Sequence, residues 1–459
     1  MAKSVTKDMT NGNPMKLILQ FCIPLFLGML FQQFYNMMDT VIVGKFLGVN
    51  ALAAVGSTGS INFMIIGFCM GVCNGFAIPV AQQFGAGDYH ALRKYVANSA
   101  WLSIAFAGVM TAVVCALCRQ ILIWMNTPAD IMEGAYHYIF VIFLGVPVIY
   151  LYNLLSGIIR SLGDSKSPLF FLIFSSILNI VLDIVFILAF HMGVAGAAWA
   201  TVISQGISGA ACLVFMIKRF EILKISSEEW KVDGKYVAVL CNMGIPMGLQ
   251  YSITAIGTVI LQTAVNTLGS LAVASIAAAS KISLFFCCPF DAMGSTMATY
   301  AGQNVGAGKL DRVSKGMKST CILGLIYAII ACVVLVFFGK TIALLFVDGS
   351  EKEILQNVSW FLIANSAFYF PLALVNIVRF TIQGLGFSRF AILAGVCEMV
   401  ARSMVGLWFV PVFGYIAACF ASPVAWIFAD LFLIPAYLYV MKKLYQTMGE
   451  KENVSPCCE

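Results

Sequence analysis

The segment Gln82-Gln83-Phe84-Gly85-Ala86-Gly87-Asp88 returns 221 residues later as Gln303-Asn304-Val305-Gly306-Ala307-Gly308-Lys309. The same offset joins Leu47-Gly48 to Leu268-Gly269, and an offset of 223 joins Asn153 to Asn376 and Leu162-Gly163 to Leu385-Gly386. A chain that repeats itself over this distance has to build the same bundle twice, and repeats within an apolar chain point toward transporters. The expected organisation is a first lobe over residues 1–217, a polar cytoplasmic linker over 218–235, and a second lobe with a tail over 236–459. The linker, with Glu228, Glu229 and Asp233 among its basic residues, is expected to be flexible.

The solvent of this chain follows from its charge content. Only 10% of its 459 residues are charged and 61% are hydrophobic. A soluble domain carries about a quarter charged residues, so most of this surface has to face lipid. The net charge of +6 is spread through loops between apolar stretches, which does not make a nucleic-acid footprint. The first fifteen residues are polar and the first apolar stretch is long enough to span, so no cleaved leader is expected.

A membrane helix takes about 20 apolar residues. Spans are expected near 16–44, 51–80, 91–117, 131–159, 167–190 and 194–217, and again near 236–266, 273–301, 317–338, 354–380, 388–410 and 414–441. With both termini inside, 21 of the 27 Lys and Arg fall on the inner side, Arg379 counted among them. Only Lys45, Arg119, Lys340 and Lys352 lie outside, a clear positive-inside bias. Six spans per half is an even number, so both halves enter from one side. The fold class expected is an all-α polytopic membrane protein of twelve transmembrane helices, in two six-helix lobes related by a pseudo-two-fold along the membrane normal. The substrate route is expected between the lobes near the midplane.

An ionisable group inside a span is costly and is a functional candidate by default. Asp39 lies six residues before Lys45, at about 9 Å depth. Asp183 precedes His191 by eight residues and Thr201 follows Gly193 by eight, each at about 12 Å. Asn179 sits one turn before Asp183 and shares its helix face. Four oxygen-bearing side chains of the first half thus reach one depth, with no basic residue placed to neutralise the two acids. Such carboxylates either take up protons or hold a hard cation.

The other intramembrane charges read less sharply. Glu398 and Arg402 are spaced for an internal ion pair. Asp291 is a candidate for lining a cavity, Asp430 for capping polar neighbours, and Lys281 has no evident partner. Pro24 in the first span and Pro246 in the seventh are 222 apart and are expected to kink their helices. Beside Pro24, the first span carries Tyr35, Asn36 and Asp39, so a bend there would couple ion occupancy to cavity shape. The Gly-Ala-Gly segments lack a phosphate-loop pattern and read as tight helix-ending turns. Cys115 and Cys118 have a metal-like spacing, but with three His in the chain the 15 Cys read as small buried hydrophobes, and Cys457-Cys458 as a candidate lipidation site. No nucleophile constellation is present, so an enzyme is not expected, and neither is a cofactor.

These residues resemble the multidrug and toxin extrusion (MATE) family of transporters. The resemblance lies in the two Gly-Ala-Gly turns, in Tyr35-Asn36-Met37-Met38-Asp39-Thr40-Val41-Ile42-Val43-Gly44, and in Arg160-Ser161-Leu162-Gly163-Asp164-Ser165-Lys166. It covers roughly Pro14 to Lys443 and is closer to the DinF-like branch. It implies two six-helix lobes, alternating access, and export of organic, often cationic amphipathic compounds against inward H⁺ or Na⁺. The ion site it implies is Asp39, Asn179, Asp183 and Thr201, which would ligate the metal if the ion is Na⁺. Tyr35 corresponds to the branch's tyrosine one turn before the aspartate, and Asn153 is a further candidate. With Asn36 and Asp291 these are the expected substrate-cavity residues. The partners expected are small organic substrates and the lipid bilayer, with no nucleic acid. A monomer in the plasma membrane with both termini cytoplasmic is expected. The alternative is a flippase for a lipid-linked or amphiphilic substrate, disfavoured because only Lys281 and Arg402 are basic within the membrane.

Overall fold

In lipid every backbone polar group must be satisfied within its own segment, which leaves helices as the economical answer for long apolar runs. The computed structural model describes residues 6–454, and these fold into helices. Cys457, Cys458 and Lys3 lie outside the described residues. The first half builds α1 (Pro14–Leu47), α2 (Val49–Ser57), α3 (Gly59–Ala86), α4 (Tyr89–Trp124), α5 (Met132–Leu144), α6 (Val146–Ser161), α7 (Lys166–Ile184) and α8 (Val194–Arg219). The second builds α9 (Gly234–Asn266), α10 (Ser270–Gly306), α11 (Leu310–Ala343), α12 (Lys352–Ser366), α13 (Tyr369–Gly384), α14 (Arg389–Met404), α15 (Val410–Phe413) and α16 (Tyr415–Val454). Among the described residues, ten stretches are long and apolar enough to cross a membrane. Two bent pairs, α5 with α6 at 47° and α12 with α13 at 50°, bring the total to twelve. Spans four and ten, expected as single helices, are therefore each two helices meeting at an angle, and the second span is interrupted at Thr58. α1 and α9 stay helical through Pro24 and Pro246.

The duplication is written into the backbone. Gly87 and Gly308 both take left-handed φ, 73° and 72°. Each turn closes with the same two bonds: Gly87 N to Phe84 O with Asp88 N to Gln83 O, and Gly308 N to Val305 O with Lys309 N to Asn304 O. This is the glycine-terminated helix end, which a Cβ would strain. A five-residue π-turn follows α7 at Val185–Ala189, and another follows α14 at Val405–Phe409.

The chain divides into two compact units. One takes the chain up to Asp8 with Leu27–Gly248, and the other Met9–Phe26 with Leu249 onward. α1 and α9 therefore each contribute to both. In the first unit the opening turns of α9 join a core that includes Phe76, Leu92, Val96, Tyr150 and Phe220 through Leu240. α3 and α9 meet backbone to backbone there. A Cβ on Gly75 would lie 2.5 Å from Gly244 Cα, and one on Gly71 would lie 2.5 Å from Met247 O. The facing sequences are Gly71-Val72-Cys73-Asn74-Gly75 and Gly244-Ile245-Pro246-Met247-Gly248, each a small residue repeated after four positions, the pattern that lets membrane helices approach closely.

The linker is docked rather than flexible. Glu229 is buried against the start of α4, where Arg93 Nε donates to both its oxygens at 2.8 and 2.9 Å, His90 Nδ1 stands 2.9 Å away and Ser226 N donates at 2.8 Å. Farther along α4, Asp233 N donates to Asn98 and Trp101 Nε1 donates to Trp230 O. The second unit holds the N-terminal segment in the matching way. Met9 N donates to Gln303, Asn304 donates to Met9 O, and Arg312 donates to Gly12 O. Met9 and Trp230 are 221 residues apart, so the leader segments of the two halves are equivalent. The polar pair of the second Gly-Ala-Gly turn thus grips a leader segment, which explains why amides stand there.

Candidate functional site

In the first unit three helices bring oxygens together. α1 supplies Asp39 and, one turn earlier, Tyr35; α7 supplies Asn179 and Asp183; α8 supplies Thr201. Asp39, Asn179, Asp183 and Thr201 are all buried, Asp183 completely. The Asn179 amide stands 3.3 Å from Thr201 Oγ1, and turned to suit its neighbours it donates to Asp183 Oδ2 at 3.3 Å. The Asp39 and Asp183 carboxyls lie within hydrogen-bonding reach of each other. Two carboxylates are acceptors only, so this approach requires a proton or a cation between them. Oδ1 of each is buried with no hydrogen-bond partner, and among the described residues neither acid is paired with Lys, Arg or His. Hard oxygens on two acids, an amide and a hydroxyl, with two of them unsatisfied, are a donor set that fits a proton or a small hard cation.

Tyr35 is half-buried, with Thr201 and Gln205 within reach of its hydroxyl. Two residues around the acids escaped the sequence reading. Tyr138 of α5 is buried beside Asp39, Asp183 and Tyr35, and Gln205 of α8, one turn after Thr201, has a buried Oε1 without a partner. Gln205 carried a signal, since it lies at i+4 from Thr201 on the same face. Tyr138, among many aromatics, did not.

Other expected residues sit elsewhere. Asn36 is exposed, and its carbonyl accepts from Thr40 Oγ1. Asn153 is half-buried and donates to Ile149 O at 2.8 Å, so its amide serves its own helix. Pro24 is buried in the part of α1 that belongs to the second unit. Lys281 is exposed.

The second unit has a charge cluster of its own. Glu398 and Arg402 pair at 3.2 Å, as their spacing on α14 implies. Arg379, counted with the inner loops by sequence, is instead buried on α13 and donates to Glu398 at 3.0 Å and to Asn376 at 3.3 Å. Its place near the end of an apolar run made it look like a loop residue. Asp430 is buried beside Arg379 and Glu398, with Oδ1 unpartnered. Asp291 is exposed, and Arg379 turns its guanidinium to Glu398 and Asn376 instead of pairing with it.

A duplicated, all-helical chain with polar groups buried inside each half has the architecture of a membrane transporter. The MatE family model matches the chain twice, over residues 24–185 and 246–408, and the chain belongs to this family of multidrug and toxin extrusion transporters. It is 29% identical over 407 residues to the probable multidrug resistance protein YpnP of Bacillus subtilis (strain 168), covering 87% of each chain. It is 27% identical over 338 residues to the probable multidrug resistance protein YoeA of the same organism, covering 72% of this chain and 73% of the other. An outward-facing multidrug resistance MATE transporter of the MOP superfamily shares the fold, with TM-score 0.90 at 22% identity over 97% of this chain and 99% of that one.

Proposed function

We propose that the protein is a cation-coupled antiporter that exports organic, often cationic amphipathic compounds by alternating access. The reading rests on the Asp39–Asp183 approach, where two acids on separate helices meet with one oxygen each unsatisfied. In the proposed cycle H⁺ or Na⁺ arriving from outside fills the gap between the carboxyls, with Asn179 and Thr201 supplying further oxygens. Filling the gap removes the repulsion that holds α1 and α7 apart, and the changed packing of the first unit weakens its hold on cargo. Cargo leaves outward and the empty protein resets. An inward potential supplies about 2.3 kcal/mol per charge per 100 mV, roughly a 50-fold gradient of neutral cargo per ion. The names of the two Bacillus relatives support a drug-like cargo. The reading places the protein as a monomer in the plasma membrane with both termini in the cytoplasm, in line with the positive-inside bias, and in the DinF-like branch.

The test is dye efflux from proteoliposomes under an imposed Na⁺ gradient and, separately, an imposed pH gradient. One gradient should drive efflux, and Asp39→Asn or Asp183→Asn should abolish the response. Variants that are inserted normally and still respond like the wild type would overturn the assignment.

A further inference from the structure

We propose that the seam between α11 and α16 binds an anionic phospholipid, with Lys315, Lys318 and Lys442 holding its headgroup phosphate and the apolar faces beyond them taking its acyl chains. The site lies on the outside of the second unit and does not depend on the exporter reading.

α11 and α16 are the ninth and twelfth spans, one odd and one even, so they run in opposite directions. The first turn of α11 meets the last turns of α16, where Tyr445 Oη donates to Asp311 Oδ1 at 2.7 Å. Lys315 and Lys318 follow Asp311 by four and seven residues and share its helix face. Lys442 precedes Tyr445 by three residues and shares its face on α16. The three lysines therefore flank one seam, about 6, 10 and 5 Å from the Asp311–Tyr445 bond along the helix axes. All three are exposed, and among the described residues none has a hydrogen-bond or ion-pair partner. Asp311 sets one negative charge against their three positive ones, and its Oδ1 is already engaged by Tyr445.

Beyond the lysines both faces turn apolar. On α11 the face continues one turn after Lys318 with Ile322 and Leu325, and on α16 one turn before Lys442 with Leu438 and Ile434, all exposed. A basic rim at the end of an uncovered aliphatic seam complements an amphiphile with a negative head, and cationic side chains beside membrane helices select anionic over zwitterionic lipid. A free phosphate would use the rim alone.

Lysines near helix ends can do no more than extend their charge to water. The repeat argues against that reading here. By the offset of 221, Lys318 corresponds to Ala97 and Lys315 to Lys94. Ala97 is buried, and Lys94 is half-buried with Nζ 5.5 Å from the centre of the Tyr236 ring. The linker covers that stretch of α4, through Asn98 and Trp101. On the same backbone plan the second unit leaves this face open and adds a lysine to it.

The test titrates lipid into the purified full-length protein in neutral detergent and follows the thermal midpoint. Dioleoylphosphatidylglycerol should raise the midpoint saturably, and dioleoylphosphatidylcholine and inorganic phosphate should not. Each lysine removed should weaken half-saturation about fivefold, so Lys442→Gln costs about fivefold and Lys315→Gln/Lys318→Gln about 25-fold. The control Lys340→Gln/Lys352→Gln removes the same charge from exposed positions at the far end of α11 and the start of α12, and should titrate like wild type. Raised NaCl should weaken phosphatidylglycerol binding to the unsubstituted protein, a reading that needs no variant to fold. An equal response to phosphatidylcholine, a shift with inorganic phosphate as large as with phosphatidylglycerol, or equal losses in the two double variants would overturn the proposal.

Discussion

A charged side chain in a membrane interior needs an opposite charge, a proton or hydrogen bonds to offset lost hydration. Asp39 and Asp183 lack the first of these, and each leaves one buried oxygen unbonded. Either Asp→Asn change should lower gradient-driven export at least tenfold, while Thr201→Ala, which removes one neutral donor, should cost about threefold, on the order of a single hydrogen bond. Both are read as initial efflux rates at equal protein incorporation. In the linker Glu229 offers a titration outside the membrane-spanning helices. Burial alone would raise its carboxyl, but the bonds from Ser226, Arg93 and His90 outweigh that and hold it down to about 2 from an ordinary 4.5. Its folded value is lowered, so its contribution to linker docking is complete above about pH 4.5 and fades as the pH falls toward 2. Hydrogen exchange over residues 224–233 should rise through that window, and Glu229→Gln should open Lys224 and Lys231 to trypsin at neutral pH. Unchanged exchange and cleavage would mean the segment is held by something else. The four oxygens of the first unit were legible from depth and helix face alone. The Glu229 clasp was not, because it depends on Arg93, 136 residues away.

At the scale of the helix, close approach replaces the hydrophobic drive that lipid does not supply. The Gly71–Gly75 and Gly244–Gly248 pairs let α3 and α9 touch along their backbones. Gly75→Val should therefore separate them at a cost of about 3 kcal/mol or more, at or beyond the usual range for overpacking. Gly108→Val is the control, since a Cβ there meets nothing within 4 Å. The measurement is the thermal midpoint of detergent-solubilised protein, and comparable midpoints for the two variants would contradict the contact. The twelve spans themselves were legible because hydropathy runs report length. Their bends were not: Gly145 and Ala367–Phe368 sit inside continuous apolar runs, and only packing reveals that the helix turns there. The small-residue pattern was present in the sequence but is quiet among 39 glycines, where spacing alone does not say which pairs meet.

For the whole molecule, duplication and unit boundary are separate matters. The repeat reports where the sequence starts over, near the linker, whereas the first compact unit continues to Gly248 and omits Met9–Phe26. The difference arises because each half begins with a leader and a long helix, α1 or α9, whose first turns pack with the unit that the other half mainly builds. A fragment of residues 1–217 then lacks Leu240, Gly244 and Gly248, leaving the Gly71–Gly75 face of α3 and part of the buried core open. It also lacks Glu229, so Arg93 loses the carboxylate that it holds with 2.8 and 2.9 Å bonds. A fragment of residues 1–266 restores all of these and ends with a complete α9. The longer fragment should elute as one species in detergent and resist trypsin within the linker, and the shorter should aggregate. Adding Gly244→Val to the longer fragment should return it to the behaviour of the shorter one, because that change removes the helix contact while keeping the chain length. If all three behave alike, the first turns of α9 contribute nothing to the first unit and the boundary follows the sequence repeat after all.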